Sequence, residues 1–100
     1  MDYRIVWTKT ALADLRDLVR YIAADDREVA RRFGVRVVGK VESLGPFPRI
    51  GRIVPEYRDD LVREVIITPY RVIYELDDPG LKISVLRIWH GARGEPELLP

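Results

Sequence analysis

His90, the one histidine of this chain, ends an apolar run, and Arg93 follows it in the glycine-broken stretch HGARG. Upstream, Arg71 sits beside Tyr70, Arg63 beside Glu64, and Glu56 lies in a proline-rich stretch. Cysteine is absent, and the two serines, Ser43 and Ser84, stand outside any nucleophile-elbow pattern. A P-loop, a dinucleotide-binding glycine fingerprint and an HExxH motif are all missing. One histidine without cysteine excludes the usual transition-metal sites, so no metal and no cofactor is expected. Any reaction must therefore use arginine, glutamate, tyrosine and one imidazole. Arginine pairs in bidentate fashion with carboxylate or phosphate. Imidazole exchanges protons near neutral pH.

Each of these residues has two readings. His90 is an acid or base, or a strand-end imidazole that hydrogen-bonds to backbone and fixes the tail. Arg71 contacts a phosphate or a target, or forms a salt bridge to Glu64 or Glu75 across a sheet. Arg63 and Glu64 read as a solvated pair on one strand. Glu56 is a general base or a solvated loop carboxylate. Trp7 and Trp89 suit a core, and an exposed Trp89 would mark a partner surface.

The chain of 100 residues makes one domain, spanning residues 1–100, with a single modest core. Its 47% hydrophobic and 33% charged residues fit a globular protein. No apolar run reaches the roughly 20 residues needed to span a bilayer. Asp2 and Arg4 interrupt any signal-peptide pattern, so the expected location is the cytoplasm, with no membrane partner. The net charge is only +1, a low value for a protein that must grip several phosphates.

The elements that must position these residues follow from periodicity. In YRIVWT, Tyr3, Ile5 and Trp7 alternate with Arg4 and Val6 as in a short strand. Thr8 or Thr10 can cap the helix that follows. Ala11, Leu15, Leu18, Val19 and Ile22 make one apolar stripe along it. Asp25 and Asp26 break the run, and Asp25 with Glu28 has capping-box spacing. A second helix is predicted from about Arg27 to Leu44, burying Ala30, Phe33, Val37, Val41 and Leu44. Gly34 and Gly39 inside it suggest the close approach of another backbone. The short connection makes the helices an antiparallel hairpin.

An irregular stretch with three prolines and Gly51 follows, with a brief extended piece at Ile53 to Val54. Three strands then come in succession: LVREVIIT, YRVIYELD and KISVLRIWH. Thr68-Pro69 and the DDPG turn at Asp77 to Gly80 separate them, so neighbours run antiparallel. Apolar residues on both parities place the last strand inside the sheet. The expected fold is α+β: an N-terminal strand and a two-helix hairpin packed on one face of an antiparallel sheet. Polar side chains, or something else, must cover the other face. Arg71, near the Thr68-Pro69 turn, is expected at the same sheet end as His90.

The segments ALADLRDLVRYI, VREVIITPYRVIYELDD and ISVLRIWHGARGE resemble the RelE/ParE superfamily of bacterial type II toxins, including the plasmid-stabilisation group. The resemblance covers nearly the whole chain, and the tyrosine-arginine strand and the His-Gly-x-Arg ending carry most of it. It implies a small growth-inhibiting toxin neutralised by an antitoxin encoded beside it. Leu15, Val19, Ile22, Phe33 and Val37 on the helical stripes are then the expected antitoxin contacts. ParE-like members poison DNA gyrase. In that case Arg63, Arg71, His90 and Arg93 are the expected target contacts. RelE-like members cut messenger RNA on the ribosome. In that case Arg71 would bind phosphate, His90 would be acid or base, Glu56 or Glu64 would assist, and Arg93 would complete the site. The lysine pair typical of RelE is absent, and the tail GARGEPELLP has no tyrosine or second histidine. Together with the low net charge, this favours the ParE-like reading.

Overall fold

The computed structural model describes residues 2–98. Strand β1 (Arg4–Trp7) leads through Thr8 into helix α1 (Lys9–Ala23). The Thr8 hydroxyl oxygen accepts from the Ala11 N–H, which satisfies a helix-end donor. The same hydroxyl donates to the Val85 carbonyl at 2.8 Å and ties the helix start to the sheet. Helix α2 (Arg27–Glu42) begins at Asp26, whose carboxylate accepts from the Glu28 and Val29 N–H groups. The cap is thus Asp26 and not Asp25. With Val29 three residues on, the expected capping box does not form. The helix stops at Glu42, two residues earlier than predicted, yet Leu44 still reaches the core.

Strands β2 (Arg52–Ile53), β3 (Val62–Ile67), β4 (Tyr70–Asp77) and β5 (Lys82–His90) complete a sheet of order β1-β5-β4-β3-β2. The brief extended piece lies one residue earlier than expected, and Val54 after it is fully buried. Antiparallel pairing runs from β2 to β5, but β1 joins β5 in parallel, so the sheet is mixed. The helical hairpin is the crossover that carries the chain from one sheet edge to the other, and parallel neighbours need such a connection. β5 lies inside, as its two-sided apolar pattern requires.

The hairpin covers one face. Ala11, Val37, Val41 and Leu44 pack there on Val65, Val72, Tyr74, Ile83 and Val85. Gly34 meets a side chain, Val19 of α1, and Gly39 faces open space. Among the described residues no other backbone approaches either one, contrary to the expectation from the two glycines. The second face holds a smaller cluster of Val54, Val62, Ile73 and Trp89, with Leu86 and Leu98 against it. Side chains alternate between faces along a strand, so β4 sends Tyr70, Val72 and Tyr74 under the helices and Arg71 and Ile73 to this second face.

Candidate functional site

Arg71 forms the centre of a four-residue ion network on the second face. Its Nε donates to Glu64 at 2.6 Å, and its Nη1 and Nη2 donate to the two Glu56 oxygens at 2.9 and 2.8 Å. Arg52 Nε donates to the other Glu64 oxygen at 2.6 Å. Register explains the set. Arg52 lies directly opposite Glu64, and Arg71 opposite Ile66, one diagonal step from Glu64. Glu56 arrives from the loop after Val54, which turns back through bonds from the Tyr57 and Arg58 N–H groups to the Val54 carbonyl.

Glu64 is fully enclosed and Arg71 nearly so, with side chains 0% and 10% exposed. The bidentate bond from Arg71 holds the Glu56 carboxyl down at about 2. The same pairing raises the Arg71 guanidinium above its ordinary value. Two cations meet two carboxylates, so the network is neutral. A cavity of about 340 Å³ opens beside it, lined by Arg52, Pro55, Glu56, Ile66 and Arg71.

His90 and Arg71 share one end of the sheet, as the topology predicts: Tyr70 pairs with His90 and Arg71 with Trp89. Their side chains leave opposite faces. The His90 ring meets Tyr70 edge-on at 5.4 Å, and Tyr70 meets Phe33 of α2 the same way. His90 Nδ1 accepts from the Ala92 N–H at 3.0 Å and starts the short 3-10 turn Gly91–Arg93. The neutral ring then carries its proton on Nε2. On the Arg71 side, the Arg93 guanidinium stacks 4.0 Å from the centre of the buried Trp89 ring, and Arg87 lies 4.9 Å from it. Trp89 Nε1 donates to the Gly94 carbonyl and holds the tail on the sheet.

The other predicted residues fall as follows. Arg63 and Glu64 do not form a solvated pair. Glu64 is buried with Arg71 and Arg52, while Arg63 donates to the backbone carbonyls of Asp60, Gly51 and Arg49. Glu75, the alternative partner for Arg71, is exposed and makes no ion pair with it. Glu56 is not simply solvated, because Arg71 clasps it. Among the expected antitoxin contacts, Leu15, Val19, Ile22 and Phe33 are half-buried, but Val37 is sealed in the core and offers no surface. Sequence reasoning missed Arg52. It also missed the Arg87–Asp14 pair at 2.8 Å that bolts α1 to β5. Asp14 stands beside the apolar stripe, which is the one signal that could have found it.

Chemically, the network is ill suited to hydrolysis. A carboxyl held near 2 is a weak proton acceptor at neutral pH. A guanidinium bound on three nitrogens by carboxylates has no free edge for a phosphate. His90 and Arg71 converge on no common concavity.

The sequence model of the family described as "ParE toxin of type II toxin-antitoxin system, parDE" matches residues 5–94. This chain belongs to the ParE toxin family. Toxin RelE2 of Caulobacter vibrioides is 34% identical to it over 90 residues, covering 90% of this chain and 97% of that protein. The toxin-antitoxin complex RelBE2 from Mycobacterium tuberculosis contains a chain similar in structure. Its TM-score is 0.68 at 25% identity, over 90% of this chain and 99% of that one. The fold also matches a chain of the chromosomal ParDE system from P. aeruginosa, with a TM-score of 0.71 at 24% identity, over 88% and 95% of the two chains. This ParE-family toxin thus has the RelE/ParE fold that its helical hairpin and sheet describe. Among the described residues no helix is long and apolar enough to cross a membrane.

Proposed function

We propose that this ParE-family toxin acts in the cytoplasm by docking on DNA gyrase, without making or breaking bonds itself, and that a cognate antitoxin neutralises it. The observation that carries the reading is the state of Arg71. The arginine that a ribonuclease would set against the scissile phosphate is enclosed by Glu56 and Glu64. The imidazole that would serve as acid lies on the opposite sheet face with Nδ1 bound to backbone. His90 and Arg93 are exposed and are the direct target contacts in this proposal. Arg71 acts through them, by fixing the sheet end and the loop beside it, while Arg63, toward the other end of β3, holds the Asp60, Gly51 and Arg49 backbone. The toxin-antitoxin composition of the Mycobacterium tuberculosis relative supports an antitoxin partner.

The test pairs two assays. Purified toxin is added to a gyrase supercoiling reaction, and separately to a translating extract followed by primer extension on the message. Blocked supercoiling with intact message is expected, and it should weaken on His90→Ala and Arg93→Ala. Message cleavage with normal supercoiling overturns the reading in favour of a ribosome-dependent endoribonuclease.

A further inference from the structure

We propose that the outer face of α2 is a self-complementary interface, through which two copies of this chain pair with their α2 helices antiparallel. The inference does not depend on which target the toxin docks on. Glu28, Arg31, Val35, Val38 and Glu42 step by three and four along α2 and form one stripe. All five are exposed, while Ala30, Val37 and Val41 fill the core from the other side of the helix. Val35 and Val38, in the middle of the stripe, are 62% and 37% exposed. Apolar residues at this spacing, flanked by charge, are the seam along which paired helices interlock.

The order of charges along the stripe specifies the partner. Val35 stands one residue before Arg36, and Val38 one after Val37. Arg31 stands five before Arg36, and Glu42 five after Val37. A two-fold axis crossing the helix between Arg36 and Val37 therefore brings Val35 level with Val38 of the second copy, and Arg31 level with its Glu42. Each contact is made twice, as an isologous interface requires. Glu28 holds Nε and Nη2 of Arg31, and Nη1 is left to reach across. Glu42 forms no ion pair among the described residues. A parallel pairing would set Arg31 against Arg31 and Glu42 against Glu42, so charge fixes the direction. Gly39, beside the seam, has nothing within 4 Å of where a Cβ would stand, which lets the helix axes come close. Nucleic acid would meet the carboxylates of Glu28 and Glu42 on the same stripe. Five side chains per copy fall short of the roughly 800 Å² per partner of a stable complex. The dimer is accordingly weak, with a dissociation constant on the order of 100 µM.

The experiment uses the full chain and substitutions at exposed positions. Sedimentation equilibrium should show the parent passing from monomer to dimer with a midpoint on the order of 100 µM. Arg31→Glu and Glu42→Arg each place like charges across the seam twice, so each variant alone should associate at least about tenfold more weakly. An equimolar mixture of the two should recover the dimer, because both cross-pairs then join opposite charges. Circular dichroism melts check that each variant folds as the parent does. Dilution of the 15N-labelled parent gives a reading that needs no variant: the amides of Arg31, Val35, Val38 and Glu42 should shift with concentration while those of β4 and β5 hold. The proposal is overturned by a parent that stays monomeric at about 1 mM, by single variants that associate as tightly as the parent, by a mixture no tighter than its components, or by dilution shifts on another surface. Shifts of the α2 amides that arise only on adding the cognate antitoxin or duplex DNA, with the parent monomeric, overturn it as well and assign the face to that partner.

Discussion

Replacing Arg71 with alanine tests whether the ion network is a structural clasp. The substitution removes three charge-assisted hydrogen bonds and leaves Glu64, with no exposed side-chain surface, holding a single partner. Breaking a buried ion pair from one side costs roughly 3–5 kcal/mol. Two features favour the lower end. Glu56 is 28% exposed and can turn to water, and Arg52 still neutralises Glu64. A loss of about 3 kcal/mol is a large share of the 5–15 kcal/mol typical of a whole domain. At roughly 4–8 °C per kcal/mol for a domain of this size, the melting temperature should fall by about 12–24 °C. Circular dichroism melts and urea titration measure it. The companion variant Arg71→Met with Glu64→Gln and Glu56→Gln removes both carboxylates together with their cation. It should recover much of the loss, because no buried charge is left half-paired. An Arg71→Ala melting temperature within about 2 °C of the parent, combined with loss of growth arrest, would refute the reasoning. Arg71 would then be a target contact and not a clasp.

Acid should loosen the same loop in a defined window. The Glu56 carboxyl is depressed to about 2, so its stabilising contribution is complete above the ordinary carboxylate range and disappears as the pH falls through about 2. Urea midpoints measured between about pH 5 and pH 2 should decline in the parent and decline less in Glu56→Gln. A second substitution addresses the Pro46 to Gly51 loop. The buried Tyr74 hydroxyl donates to the Pro48 carbonyl and accepts from the Gly51 N–H. Tyr74→Phe strands both backbone groups and should cost about 1–3 kcal/mol, with faster amide exchange at Gly51 while α1 stays protected.

Short-range pattern determined most of the secondary structure. The stripe from Ala11 to Ile22, the β-branched runs and the DDPG turn each carry their own periodicity or turn chemistry, which needs no distant partner to be recognised. The same holds for β5 as an interior strand, since apolar residues on both parities require cover on both faces. It also holds for Arg71 and His90 at one sheet end, because a tight turn sets the hairpin register. Tertiary structure decided the rest. Whether β1 runs parallel or antiparallel to β5 depends on where the hairpin delivers the chain, and no residue in Arg4 to Trp7 encodes that. Glu56, Glu64 and Arg52 come from a loop and two strands, and each reads locally as a solvent-facing charge. They become one buried network with Arg71 only when register and loop closure bring them within hydrogen-bond reach. The opposite faces taken by the Arg71 and His90 side chains are set in the same way, by which parity of each strand the helices cover. Local sequence fixes periodicity. Contacts between charges far apart in the chain exist only after packing has chosen the faces.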